Sequence, residues 1–207
     1  MGIFSNEYTV GRWLTSITGI GPVLSSGFLA HLDIRKAPTA GRIWSFAGLV
    51  PGQRAKKGEK HTWCDDFKHH CWLTGDCFVK FHNHPGEYYG SLYVARKEYE
   101  TAKNERGDYG DQAALALEER TFKKDTVAKK CYQAGKLPPG HIHIRCMRQV
   151  VKIFLSHLHH VMYVDYYGQD PPAPYVFMHQ QGHGHYIKIP NWPFDDKAKS
   201  LKELLKE

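Results

Sequence analysis

The stretch Ile17-Thr18-Gly19-Ile20-Gly21-Pro22-Val23 constrains this chain most tightly. It places a Gly-Ile-Gly turn between two short segments whose apolar residues recur at helical spacing. Gly19 and Gly21 give the backbone freedom that a side chain would forbid, and Pro22 suits the first position of a following helix. Ile20 is expected to plug the turn into the seam between the two helices. The pattern predicts a helix-hairpin-helix over residues 8–33, with free N–H groups at the mouth of the turn. Amides at a helix N-terminus, backed by the helix dipole, form a site for anions such as a nucleic-acid phosphate. Backbone amides cannot distinguish bases, so such a contact carries no sequence information. A Gly-x-Gly turn also serves as a plain tight connection between helices.

Charge adds a second argument. Lys and Arg number 28 against 21 Asp and Glu, a net charge of +7 with neutral histidines. A surplus of that sign favours polyanionic partners without specifying a fold. Arg54, Lys56, Lys57 and Lys60 surround Gly58 in a loop without a large apolar residue, and Arg145, Arg148 and Lys152 flank a long apolar stripe. The predicted nucleic-acid contacts are therefore Gly19, Ile20, Gly21, Val23, the four loop cations and these three stripe-flanking cations.

The apolar pattern predicts a mainly α protein. Helices are expected over Tyr8 to Ile17, Val23 to Leu32, a short segment capped by Thr39 and ending at Gly48, and Thr62 to Phe81. Pro85 is expected to open the next helix, which breaks near Asn104. Gln112 to Ala134 reads as one exposed or partner-bound helix. Met147, Val151, Phe154, Leu158, Val161 and Met162 mark the strongest helix, His143 to Tyr163. After Gly168 the chain becomes rich in Pro, His and aromatics, predicting an extended arm over the body or a partner subunit, followed by a short helix at Asp195 to Leu205. The expected division is a helical domain at 1–168 and the arm with its terminal helix at 169–207.

No apolar run approaches a membrane span, and the N-terminus lacks a signal-peptide pattern. Five cysteines, an odd number without a Cys-x-x-Cys pair, argue for reduced thiols rather than a disulfide framework. The expectation is a cytoplasmic protein, nucleoid-associated if bound to DNA. The best metal candidates, Cys64, Cys71, Cys77, His82 and His84, or His179, His183 and His185, lack paired ligand spacing at both ends, so no metal or cofactor is assigned. The pairs His69-His70 and His159-His160 are expected on polar faces. Ser156-His157 point apart on a helix, and Asp65-Asp66 and Asp195-Asp196 are isolated doublets, so no catalytic residue is assigned either.

Taken in order, Gly19-Ile20-Gly21-Pro22, the helix ending near Asp33, Arg42 to Gly48-Leu49-Val50-Pro51, the Lys-Lys-Gly-Glu-Lys loop and Val151-Lys152-Ile153-Phe154-Leu155 resemble the C-terminal domain of insertion sequence one-ten family transposases. The resemblance covers most of residues 15–165, with an insertion near 103–138. It implies DNA as partner, with structured guide RNA as an alternative; the aromatic helices and the C-terminal arm are expected to drive self-association into a homo-oligomer. The family also carries an N-terminal RuvC-like DEDD nuclease domain, for which this chain has neither the strand pattern nor the room ahead of Tyr8. Family members place a nucleophilic serine in the loop after Gly-Leu-x-Pro, and here Pro51 to Gly58 contains no hydroxyl. The resemblance thus implies a backbone-binding module that is not catalytic alone. The alternatives are a recombinase subunit completed by a separate DEDD chain or guide RNA, and a structural assembly protein.

Overall fold

The computed structural model describes residues 2–53, 55, 58–122, 124–172, 187–193 and 198–206. The chain is mainly α. Its helices are α1 (Gly2–Glu7), α2 (Thr9–Thr15), α3 (Pro22–His31), α4 (Ala40–Phe46), α5 (Asp65–Lys80), α6 (Tyr89–Glu105), α7 (Gly110–Glu119), α8 (Val127–Gln133), α9 (Pro139–Tyr167) and α10 (Leu201–Leu204), with a 3-10 turn at Ile34–Lys36. Among the described residues there is no strand, only an isolated parallel bridge between Tyr8 and Lys199.

Helix α9 is the axis of the core. Met147, Val151, Phe154, Leu158, Val161 and Met162 fall on one stripe by their spacing, and all six are buried. Phe154 is the hub: the rings of Trp13, Phe28, Phe78 and Tyr89 surround it at centroid distances of 6.1, 5.2, 5.4 and 5.3 Å. Thus α2, α3, α5 and α6 converge on one aromatic side chain. Pro139 starts α9 where no N–H partner is needed, and Gly168, at φ 71°, ends it with its N–H on the Val164 carbonyl.

Helices α5 and α9 cross at Gly75. A Cβ there would sit 2.8 Å from both Met147 Cγ and Val151 Cγ2. Gly75→Ala should therefore destabilise the fold by roughly 1–3 kcal/mol through overpacking. Urea unfolding checks this, and an unchanged midpoint would mean that the crossing is looser than described.

Several predicted elements are corrected. The first helix is preceded by α1, which the apolar spacing did not mark. Pro85 does not open a helix; Pro85 and Gly86 form a turn, Gly86 at φ 77°, and α6 begins at Tyr89. Gln112 to Ala134 is not continuous. Helix α7 ends where Arg120 turns extended, and α8 starts afresh under a side-chain cap, the Thr126 hydroxyl accepting from Lys129 N–H. The two pack against each other, and Asn104 closes the base of the excursion: its Nδ2 donates to the Leu137 carbonyl at 2.9 Å and its Oδ1 accepts from Leu137 N–H at 2.8 Å.

The C-terminal region follows its own body where it is described. Ile189 and Leu201 are buried. Trp13 Nε1 donates to the Pro190 carbonyl at 2.8 Å, Tyr88 Oη to the Lys188 carbonyl at 2.5 Å and Asn191 Nδ2 to the Ser16 carbonyl at 3.0 Å. Of the expected terminal helix from Asp195 to Leu205, the described residues are helical at α10, fixed by Leu201 N–H donating to Asp165 Oδ2 at 2.5 Å, and residues 198–200 are not helical. Residues 173–186, with His179, His183 and His185, and residues 194–197, with Asp195 and Asp196, lie outside the described residues.

Candidate nucleic-acid interface

The glycine elbow joins α2 to α3. Ile17 and Ile20 are both buried in the core, and Ile20 N–H donates to the Ile17 carbonyl at 3.0 Å. Gly19 adopts φ 93°, which other residues avoid, and it lies against Cys77 and Phe81 at the end of α5. Gly21 is extended and stands as the N-cap of α3 with no side chain to cap it. The first backbone bond of that helix is Ser25 N–H to the Gly21 carbonyl at 3.0 Å. Gly21, Pro22 and Val23 are exposed, Val23 at 66%. The first turn of α3 therefore begins at exposed residues, with no N-cap side chain bonded to its amides.

Behind this opening the helix is held firmly. The buried Ser25 hydroxyl donates to the Gly11 carbonyl at 3.1 Å, tying α3 to α2. His70 Nε2 donates to the Leu24 carbonyl at 2.9 Å, tying α3 to α5. Leu24 thus gives its carbonyl to the protein, while the preceding exposed residues keep the mouth clear.

The basic loop follows α4 (Ala40–Phe46) after Gly48, whose φ of 64° turns the chain beneath the Trp63 ring. Gln53 Nε2 reaches the Ser45 carbonyl at 3.4 Å and the Thr62 hydroxyl at 2.8 Å, pinning both ends of the loop beside α4. Lys60 is exposed. Arg54, Lys56 and Lys57 lie outside the described residues. On the same side, Trp44 Nε1 donates to the Lys152 carbonyl at 3.1 Å, and Lys152 Nζ sits 4.2 Å from the centre of the Trp44 ring. Burial, and secondarily the Arg148 charge, lower the Lys152 pKa. Arg148 is exposed one turn earlier. Among the described residues neither Arg148 nor Lys152 has a carboxylate partner.

Arg145 is placed differently. Its Nε lies 2.9 Å from Glu100 Oε2, an ionic contact without hydrogen-bond alignment, and its guanidinium stacks 4.9 Å from the Tyr109 ring centre. Its charge is offset inside the protein. Glu100 is fully buried and also receives Arg96 and the Tyr109 hydroxyl. Burial raises the Glu100 pKa, but the Tyr109 hydrogen bond and the two guanidinium charges outweigh it, and the net shift is downward. Tyr109 is pushed up to about 12, by burial first and then by its bond to Glu100. Nothing in the sequence flagged this network.

The elbow and the described ends of the basic loop lie apart rather than in one patch. The elbow touches Cys77 and Phe81, whereas the basic loop rejoins the body at Cys64, whose N–H donates to the Phe46 carbonyl at 2.9 Å. The intervening length of α5 is about 20 Å at 1.5 Å per residue. The carboxylate beside the elbow contact, Asp76, is held by Lys80 at 2.6 Å, and Asp65 at the other end by His61 at 2.9 Å.

The histidine pairs correct a further expectation. His69 is exposed, but His70 is half-buried, and the buried His159 donates Nε2 to the Ala37 carbonyl at 2.9 Å. Inward-facing carbonyls needed donors, and neutral imidazoles supply them. The buried His157 is the strongest case: Nε2 donates to the Ile187 carbonyl at 3.0 Å, which fixes Nδ1 as acceptor for the Tyr89 hydroxyl at 2.8 Å. Burial holds its pKa down, from 6.5 to about 4. The unfolded chain then takes up this proton first as pH falls, so stability present above pH 6.5 is lost progressively toward pH 4. Between pH 7 and pH 5 His157 alone should remove about 2 kcal/mol. His157→Gln should flatten that part of the pH profile in urea titrations, and an unaltered slope would contradict the assignment.

Among the described residues no group of three or more His, Cys, Asp or Glu is arranged to hold a metal, and no helix is long and apolar enough to cross a membrane. All five cysteines are free thiols. Residues 11–62 match the transposase IS116/IS110/IS902 family. That segment contains the elbow, α3, α4 and the basic loop, so the resemblance holds there, over a shorter span than residues 15–165. No curated protein and no solved structure matches the chain.

Proposed function

We propose that this chain, with its transposase-family segment at residues 11–62 as premise, is a DNA backbone-binding module that is not catalytic alone. The observation that carries the reading is the uncapped first turn of α3, exposed at Gly21, Pro22 and Val23. A phosphate oxygen there would accept from main-chain N–H groups with the helix dipole behind them. The loop cations Arg54, Lys56, Lys57 and Lys60, with Arg148 and Lys152 beside the loop's anchor, supply a second phosphate grip. Two grips some 20 Å apart suit a ligand whose charge repeats along its length, as a nucleic-acid backbone's does. The contacts read phosphate, so affinity is expected to be independent of sequence.

No strand-exchange step is assigned to this chain. The loop after Gly48-Leu49-Val50-Pro51 offers no hydroxyl nucleophile, and Ser25, the serine nearest the elbow mouth in its helix, has its hydroxyl committed to Gly11. The test is Lys56→Glu with Lys57→Glu. Binding to unrelated duplexes should weaken alike, by roughly tenfold or more at low salt, as expected when phosphate contacts are removed. Unchanged binding would remove the loop from the interface.

A further inference from the structure

We infer that the C-terminal end of α9 is a stacking surface for unpaired DNA bases, so that the ligand is DNA with a single-stranded segment rather than uniform duplex. The inference rests on the backbone-binding reading above. Counting along α9, Arg148, Lys152, Tyr163 and Tyr167 follow one another at four, eleven and four residues, which keeps them on one side of the helix. The phosphate grip at Lys152 and the ring of Tyr167 are thus about 22 Å apart on a shared face.

The far end of that face is aromatic. The rings of Tyr163 and Tyr167 lie 4.5 Å apart at 42°, and those of Tyr166 and Tyr167 lie 4.7 Å apart at 78°. Tyr167 is 44% exposed. The two rings beneath it are partly buried and hold it in place, which lowers the entropic cost of receiving a planar ligand. Between the two ends stands the 3-10 turn, docked by the Ala37 carbonyl on His159, with Lys36 standing out from it at 85% side-chain exposure. Cations alternating with aromatic faces are what a single strand requires: the former follow phosphates and the latter accept bases of any identity.

Of the acidic groups around the platform, Asp33 and Asp165 are engaged within the fold, whereas Asp170 and Glu203 are exposed. Asp33 is bound twice by Arg35, at 2.8 and 2.9 Å, and lies 3.8 Å from Lys36; Asp165 accepts from Leu201 N–H; Asp170 faces His160 at 3.5 Å. Lys36 and the Tyr167 edge face solvent, and a bound strand there must outweigh the exposed carboxylates of Asp170 and Glu203.

The experiment is fluorescence anisotropy with a labelled oligo-dT strand, a duplex of equal length and an oligo-rU strand, using the whole chain and the variants Tyr167→Ala and Tyr167→Phe. Loss of the exposed ring should weaken oligo-dT binding by about tenfold, with duplex binding unchanged and the Phe variant retaining the wild-type affinity. Equal affinity of the Ala variant for oligo-dT would overturn the stacking surface while leaving the backbone reading intact. Loss of duplex and single-strand binding alike would also overturn it, as general damage. A ring effect confined to oligo-rU would overturn the choice of DNA. No binding of the unaltered chain to any strand at low salt would overturn the backbone reading and this inference with it.

Discussion

Glu100→Ala is expected to cost about 3 kcal/mol of stability, the low end for breaking a buried charge cluster because its arginines reach the surface. The carboxylate is fully buried and organises three partners from three different places: Arg96 on its own helix, Arg145 on α9 and Tyr109 ahead of α7. Removing it leaves two guanidinium groups facing each other over a tyrosine hydroxyl that has lost its acceptor. Thermal or urea unfolding measures this directly. A loss below about 1 kcal/mol would mean that the arginines find water easily and that the cluster adds little.

The second large effect concerns binding. Arg148→Glu combined with Lys152→Gln should lower DNA affinity by roughly 100-fold at low salt, by removing two phosphate partners and adding one repulsive charge. The salt dependence should become shallower at the same time, because fewer counterions are released on binding. Arg145→Gln is the informative contrast. Its charge is offset by Glu100, so it should weaken the fold more than the binding. If Arg145→Gln reduced affinity as strongly as the α9 double variant at equal stability, the division of roles between these arginines would be wrong.

How much of this was legible in the sequence depended on the distance over which each signal acts. The α9 stripe was readable because all its members share one helix and repeat at its period, and every one of them is buried. The elbow was readable because Gly19, Ile20, Gly21 and Pro22 are adjacent and each has one local job. The break between α7 and α8 hides in a segment whose ends are Ala- and charge-rich; the low-propensity run from Thr121 to Val127, with Thr126 as a cap, is the local signal that marks it. The arrangement of the basic residues was half legible. Their charges are plain in the sequence, but Arg145 is offset by Glu100, 45 positions away, and the loop is separated from the elbow by the length of α5. The histidines misled for the same reason: His157 answers to Tyr89 and Ile187, and His159 to Ala37, partners that no local spacing announces.

The open mouth of α3 is tested most directly by Val23→Glu, with Val23→Thr as control, in parallel melting and duplex-binding titrations. A carboxylate in the first turn of a helix favours the helix dipole, by about 0.3–1 kcal/mol, so the folded state should be as stable as before or slightly more so. The same carboxylate would stand where a phosphate must enter. The melting temperature should be unchanged or raised while affinity falls at least tenfold; wild-type affinity in the Glu variant would contradict an open phosphate site at α3.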